Sequence, residues 1–481
     1  MLRRTKIVAT VGPATDDPLV LDGIIEAGVD VVRLNLSHGA SQDHWRRAEA
    51  VRNRAVAYGR QVGVLADLQG PKIRIDRFRE GKVILQEGAK FILDARCGVL
   101  DGTAERVGIT YKNLPNDVHR GDVLLLDDGR IVLWVEQVAD EQIICQVTVG
   151  GALSNNKGIN RQGGGLSAAA ITDKDRADIV LAAEMQADYL AVSFPRSAAD
   201  IHYARTLLRE AGGHGGIVAK IERAEAIENL EEIIAASDAV MVARGDLGVE
   251  IGDAELPAVQ KRIIKLARSM NRVVITATQM MESMIENPIP TRAEVFDVAN
   301  AVLDGTDAVM LSAESASGKY PAKAVAAMGR ICLEAEKQPS AMTSDHRLNT
   351  HFGRIDEAIA MACMYTANHL GVKAIAALTE SGSTPLWMSR ISSGIPIYAL
   401  TPQVETRRKV TLYRGVYPIN FDVKTTDHAQ VNMEAVDELV RRGAVRDGDL
   451  VIITKGDLMG VHGGTNAMKI VRVGDMVAPQ N

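Results

Sequence analysis

Lys220, Glu222, Asp246 and, far upstream, Arg33 have the types and spacing for metal-assisted chemistry on an anion. The run Ile217-Val218-Ala219-Lys220-Ile221-Glu222 predicts a strand, whose two-residue period sends Lys220 and Glu222 to one side and Ile221 to the other. Alone, such a pair serves equally well as an ion pair closing a fold. A second run, Val240-Met241-Val242-Ala243-Arg244-Gly245-Asp246, brings another carboxylate just past a neighbouring strand, and Gly245 permits close backbone approach to a ligand. Two carboxylates from adjacent strand ends, with water and substrate oxygens in the remaining positions, suit Mg²⁺, with Mn²⁺ as an alternative ion. In Val32-Arg33-Leu34-Asn35-Leu36-Ser37, the residues Arg33, Asn35 and Ser37 alternate onto one face as a row of donors, and the planar fork of Arg33 fits a phosphate. Asp67, Thr278 and Glu314 lie at the ends of further strands; Thr278 could offer a hydroxyl to a substrate carboxylate or simply cap a helix. The set predicts a small anionic substrate that carries a phosphate, and phosphoryl transfer as the chemistry.

Such residues need a frame that gathers strand ends. Short β-branched runs at 6–11, 30–36, 62–68, 189–194, 216–222, 239–243, 272–278 and 307–312 alternate with amphipathic segments, which predicts a closed (β/α)8 TIM barrel, an α/β fold whose chemistry sits at the carboxyl ends of its strands. Between the third run and the helix expected at 173–185 lie about a hundred residues, far beyond a barrel loop. Their alternating strands and Glu80-Gly81, Glu87-Gly88 and Asp128-Gly129 turns predict an all-β insertion over 70–166 without convincing helices. It would hinge at Gly70-Pro71 and Gly163-Gly164-Gly165. The barrel then comprises 1–69 and 167–340. A polar segment at 337–350 reads as a linker, and 350–481 as a C-terminal open α/β domain of alternating helices and strands.

The 481 residues carry 55 Lys plus Arg against 61 Asp plus Glu, a formal charge of −6, so no basic excess draws a nucleic acid. The four cysteines are scattered, which suits a reducing cytoplasm rather than a metal knuckle. Behind the basic Met1–Arg4 the apolar stretch is too short for a signal core, and no run is long enough to span a membrane.

The chain resembles the pyruvate kinase family over essentially its full length. The resemblance rests on KIVATVGPA at 6–14, RLNLSHG at 33–39, IVAKIERAEAI at 217–227, MVARGDLGVE at 241–250, ATQMMESM at 277–284, PTRAEVFDVANAVLDG at 290–305 and MLSAE at 310–314. It implies transfer of the phosphoryl group of phosphoenolpyruvate to ADP, giving pyruvate and ATP. It further implies Mg²⁺ on Glu222 and Asp246, and Lys220 beside the transferring group. The substrate carboxylate would lie on the Gly245 and Asp246 amides and the Thr278 hydroxyl, with Arg33 on the phosphoryl group. Nucleotide contacts would come from Asn35, His38, Arg74 and Lys157, and a monovalent-cation pocket from Asn35, Ser37 and Asp67. A homotetramer is also implied.

The run Asp67-Leu68-Gln69-Gly70-Pro71-Lys72 departs from potassium-dependent members, which carry Thr after the Asp and Glu after the Pro. The fixed charge of Lys72 predicts activity without added K⁺. In the third domain, Thr379, Ser381, Ser383 and Thr384 form a hydroxyl-rich turn that the resemblance makes a sugar-phosphate or nucleotide effector site; as a plain connection it needs no ligand. The rival readings are a metal-dependent barrel lyase or aldolase, and a catalytically silent metabolite sensor.

Overall fold

Eight parallel strands close on themselves: Lys6–Val11, Val31–Asn35, Gly63–Asp67, Tyr189–Val192, Gly216–Ile221, Ala239–Ala243, Val273–Ala277 and Ala308–Leu311, each paired with its neighbours in sequence order and the last with the first. The computed structural model describes residues 2–342, 351–457 and 463–475. Several strands stop one or two residues short of the sequence expectation because the backbone turns left-handed there, at Phe194 (φ 56°) and Thr278 (φ 65°).

Strand alternation divides the barrel interior into layers. Val8, Val31, Leu65, Tyr189, Val218, Met241, Ile275 and Met310 fill the lower interior and are buried. One step up the same faces come Arg33, Asp67 and Lys220. The outward residues, such as Ile7, Val32, Val64, Leu190 and Ile217, pack under the surrounding helices in a separate cluster. Register then aligns the mouth: Asn35 lies opposite Asp67, Asp67 opposite Ala191, and Lys220 opposite Met241.

After the third strand the chain enters the insertion, whose six-stranded sheet and two-stranded ribbon share one apolar core. Contrary to the helix-free expectation it holds a single helical turn, Leu114–Asp117, started by Pro115 in its first turn. Strands at Arg106–Gly108, Gly151–Ser154 and Ile159–Arg161 were not foreseen; each has only three or four residues, too few to show a period. The chain leaves and returns through glycines in the left-handed region, Gly70 (φ 67°) and Gly163 to Gly165 (φ 78–92°).

Part of the segment read as a linker is ordered differently: Pro339–Met342 forms a helical turn that buries Ala341, while 343–350 lie outside the described residues. Beyond it stands a five-stranded sheet, four strands parallel and the edge strand Thr465–Arg472 antiparallel. The other edge strand, Val416–Asn420, is broken in pattern by Pro418, which an edge tolerates. Neither edge was expected from the sequence.

The third domain is fastened to the barrel floor. Its Met364, Met388 and Leu412 join the lower barrel interior in one apolar cluster. Through that cluster passes Arg390, fully buried, whose guanidinium grips both oxygens of Asp307 at the foot of the eighth strand and donates to the Arg272 carbonyl at 2.6 Å. Removing one partner leaves a buried charge alone, which costs about 3–5 kcal/mol. Arg390→Met therefore lowers the stability of the barrel by about that amount, measured as a shift in the urea midpoint; an unchanged midpoint contradicts the assignment.

Candidate active site

A cleft of about 280 Å³ opens at the carboxyl ends of the barrel strands, walled on the far side by the insertion. The second strand and its loop contribute Arg33, Asn35, Ser37 and His38; the fifth, Lys220 and Glu222; the helix Arg244–Ile251 after the sixth, Asp246; and the insertion, Lys72, Arg74 and Asp128. The expected carboxylates, lysine and arginine thus share one space.

Lys220 is its centre. Its ammonium lies 2.9 Å from Glu222 Oε1 and 3.4 Å from Asp67 Oδ1, and donates to Ser193 Oγ at 2.7 Å. Burial alone would lower its pKa, but Asp67 and Glu222 outweigh burial and raise it, so Lys220 stays charged. Glu222 is pushed up to about 7, first by burial and then by Asp246, with Lys220 opposing. Burial raises Asp246 too, and the Asp128 charge adds to it.

Both shifts come first from burial, with neighbouring carboxylates adding to it. Glu222 Oε2 accepts from the Phe194 amide at 2.9 Å, whereas the Asp246 carboxylate accepts from no described group. No set of three His, Cys, Asp or Glu side chains poised to grip an ion occurs among the described residues, and Glu222 and Asp246 line the cleft as the candidate pair. That donor set fits Mg²⁺, which keeps water and substrate oxygens in its remaining positions.

Asp67 is fully buried between two cations: Arg33 Nε donates to its Oδ2 at 2.6 Å, and Lys220 stands beside its Oδ1. Arg33 also donates to Thr10 Oγ1 at 3.1 Å. Asn35 spends its side-chain oxygen on the Ser37 amide. Lys72 lines the cleft without forming a salt bridge or side-chain hydrogen bond to a described residue, and burial with the nearby Arg74, Lys174 and Lys220 charges brings its pKa down to about 8. His38 is lowered by burial and by Lys72, Arg74 and Arg33. The cleft therefore sets Lys72 and Arg74 of the insertion against a barrel wall that carries Arg33 and Lys220 together with Glu222 and Asp246.

Three expected residues stand apart from the cleft wall. Lys157 is absent from it, its ammonium paired at 2.7 Å with Asp127, although the adjoining Gly158 and Asp128 do line it. Thr278 and Gly245 meet each other instead: the Gly245 amide donates to Thr278 Oγ1 at 2.9 Å, and that hydroxyl donates to the Ala277 carbonyl at 2.7 Å. The left-handed Thr278 is pinned by Arg244, which donates to its carbonyl at 2.7 Å and holds Asp297 through two bonds of 2.7 and 2.8 Å.

Sequence reading missed Ser193, Phe194 and Thr10. Ser193 is the next inward position after Tyr189 and Ala191, so the same alternation that gave Lys220 would have found it. Its hydroxyl accepts from Lys220 and donates to the Leu68 carbonyl at 2.8 Å, where the chain turns toward the insertion. A Cβ on Gly70 would come within 2.8 Å of the Ser193 Cβ, so the hinge is glycine for space as well as for φ.

The candidate effector residues Thr379, Ser381, Ser383 and Thr384 come together on a cavity of about 290 Å³ in the third domain. Ser381 and Ser383 hydroxyls lie 2.9 Å apart, and Thr384 meets Thr465 at 2.9 Å. The described wall carries Glu380 and Asp422 and no lysine or arginine.

A family model described as the pyruvate kinase barrel domain matches residues 2–325, and one described as the pyruvate kinase alpha/beta domain matches residues 357–471. The chain is 59% identical to pyruvate kinase II of Salmonella typhimurium over 476 residues, 98% of this chain and 99% of that protein. It is 57% identical to the pyruvate kinase of Haemophilus influenzae over 459 residues, 95% of this chain and 96% of that one. A more distant relative, the pyruvate kinase of Mycobacterium intracellulare, is 43% identical over 478 residues, 99% of each chain.

Ser193→Ala removes an acceptor for a buried ammonium and a donor to the hinge. It should cost about 1.5–3 kcal/mol and speed amide exchange across residues 68–72 at least about tenfold, read by hydrogen–deuterium exchange. Unaltered exchange there would separate Ser193 from the hinge.

Proposed function

The chain belongs to the pyruvate kinase family, a family of phosphotransferases, and on that premise we propose that its barrel mouth passes the phosphoryl group of phosphoenolpyruvate to ADP with Mg²⁺ on Glu222 and Asp246. The observation that carries this reading is Lys220, charged and fixed between Glu222 and Asp67, in a cleft shared with Asp246 and Arg33.

In this reading the barrel (1–69 and 167–340) is the catalytic domain, 70–166 a lid, and 350–481 a regulatory domain. The divalent ion, Mg²⁺ or Mn²⁺, supplies charge neutralisation for the phosphoryl and carboxylate oxygens. Lys220 and Arg33 face the phosphoryl oxygens and stabilise charge as the bond from phosphorus to the enol oxygen breaks and the bond to the terminal ADP oxygen forms. Lys72, Arg74 and Lys157 of the insertion and Asn35 and His38 of the second barrel strand and its loop form a path for the nucleotide phosphates. For Lys157 this requires release from Asp127, and for the substrate carboxylate to reach Gly245 and Asp246 the Thr278 hydroxyl must turn from the Gly245 amide. Lid closure excludes water and protects the phosphoryl group from hydrolysis. The enolate left behind takes a proton on carbon, with Thr278 acting through water and Lys220 as the rival donors.

Potassium independence gains support from the charge around Asp67: Arg33 donates to its Oδ2, Lys220 stands 3.4 Å from its Oδ1, and Lys72 adds a third positive charge to the same cleft. Allosteric control by a phosphorylated metabolite, with Thr379, Ser381, Ser383 and Thr384 as its contacts, rests on their shared cavity. Assembly as a homotetramer is supported by Ile289 and Phe296, both about 70% exposed apolar side chains on and beside the helix Arg292–Asp304. No helix of the described residues is long and apolar enough to cross a membrane, and four free, buried cysteines suit a cytoplasmic enzyme.

A coupled assay with phosphoenolpyruvate, ADP and Mg²⁺ should yield ATP, at a similar rate with K⁺, Na⁺ or a bulky organic cation. A fall to a few per cent without K⁺ would overturn the role of Lys72, and pyruvate formed without ATP would favour the lyase reading. Lys220→Met should lower turnover at least about 10³-fold while Mn²⁺ binding stays measurable; near-normal turnover would remove Lys220 from the mechanism. Ser381→Asp should lose activation by phosphorylated effectors, and full retention would empty the effector site of its meaning.

A further inference from the structure

The insertion returns to the barrel through Gly163–Leu166, and barrel residues that stand next to the candidate metal ligands hold this return. Arg223, which follows Glu222, donates to the Leu166 carbonyl at 3.0 Å. Glu225, a little further along, accepts from the Gly165 amide. On the helix Arg244–Ile251 the Glu250 carbonyl accepts from the Gly163 amide at 3.1 Å, which satisfies a carbonyl that the helix end leaves without a partner.

The two ligand-bearing elements are also tied to each other. Glu250 lies about one helical turn beyond Asp246, and its Oε2 accepts from the Ala224 amide at 2.9 Å. The strand end that carries Glu222 and the helix that carries Asp246 therefore grip one stretch of the insertion together. The outgoing side differs: the Gly70 amide donates to Asp175 at 3.0 Å, on the helix Asp173–Glu184, which carries no candidate ligand.

Glu225 has no other described hydrogen bond. Its Oε1 holds the Gly165 amide, while its Oε2 is buried, accepts from no described group and lies against Gly164, where a Cβ would come within 2.3 Å of it. A carboxylate on a backbone amide is among the stronger hydrogen bonds, and this one joins barrel to insertion. Because Glu225 follows Glu222 so closely in the chain, movement of the Glu222 backbone is carried to the glycines of the return.

We propose that Glu225 is a positioning residue for the nucleotide, a latch that couples filling of the metal site to seating of the insertion over ADP. This rests on the reading of Glu222 and Asp246 as metal ligands and of 70–166 as a lid. Phosphoenolpyruvate lies on barrel groups, whereas ADP lies between barrel and lid. Loss of the latch therefore acts on the nucleotide, through the fraction of chains whose lid is seated.

Hydrogen–deuterium exchange across 161–166 of the full chain, with and without Mn²⁺, tests this apart from turnover. Mn²⁺ affinity is measured on the same preparations by electron paramagnetic resonance. In the unaltered chain Mn²⁺ should slow exchange there at least about fivefold; Glu225→Ala should bind Mn²⁺ within about threefold of the original affinity without that slowing. Glu225→Ala should also raise KM for ADP at least about tenfold, with KM for phosphoenolpyruvate and kcat within about threefold. Glu225→Gln, which keeps an oxygen for the Gly165 amide, should bring KM for ADP back to within about threefold. Should Glu225→Ala fail to fold, Glu225→Asp, too short to reach Gly165, takes its place. An equal rise in both KM values, Mn²⁺ protection that survives Glu225→Ala, or no rescue by Glu225→Gln would each overturn the latch. Failure of Mn²⁺ to bind the unaltered chain refutes the reading of the barrel mouth and the latch with it, whereas binding without any change at 161–166 refutes the latch alone.

Discussion

A single buried ammonium, that of Lys220, organises the mouth of this barrel. It is the only described cation within reach of both Glu222 and Asp67, and it is fixed in three directions by Glu222, Asp67 and Ser193. Without it, Glu222 and Asp67 would be like charges in a nearly dry environment, and Asp246 adds another close by. With it they remain short of positive charge around Asp246. In the proposed reading, a divalent ion and an anionic substrate would complete the charge balance of this site.

The barrel makes this arrangement affordable by separating layers. Aliphatic and aromatic side chains seal the lower interior, so the polar groups one step higher meet no solvent from below. Parallel register then sets Asn35, Asp67 and Ala191 side by side, and the left-handed turn at Phe194 aims its amide at Glu222. Phe194, Thr278 and Gln279 adopt left-handed backbone at the mouth, while Gln186 and Asn271 do so in the turns that enter strands from below. Beneath, the shared apolar cluster and the Arg390–Asp307 pair join the third domain to the same strands that carry the site.

Much of this was legible in the sequence because it is periodic. The two-residue period placed Lys220 with Glu222 and Arg33 with Asn35 and Ser37, and β/α alternation gave the barrel and its interruption. Partnerships between distant segments carry no such signal: Ser193 with Leu68, Arg244 with Asp297 and Arg390 with Asp307 are formed only by closure of the barrel and docking of the third domain. Short or edge elements also escaped, since three-residue strands have no period and Pro418 mimics a break. Lys157 could be noticed only through family resemblance, and its pairing with Asp127 is invisible to any local pattern.

The central claim is that Glu222 and Asp246 jointly bind a divalent ion beside Lys220. Crystals grown with Mn²⁺ and examined by anomalous diffraction test it most directly. The account predicts one strong peak bonded to a carboxylate oxygen of each residue, with Lys220 adjacent. A peak bonded to neither, or the two carboxylates turned into separate compartments, would contradict it.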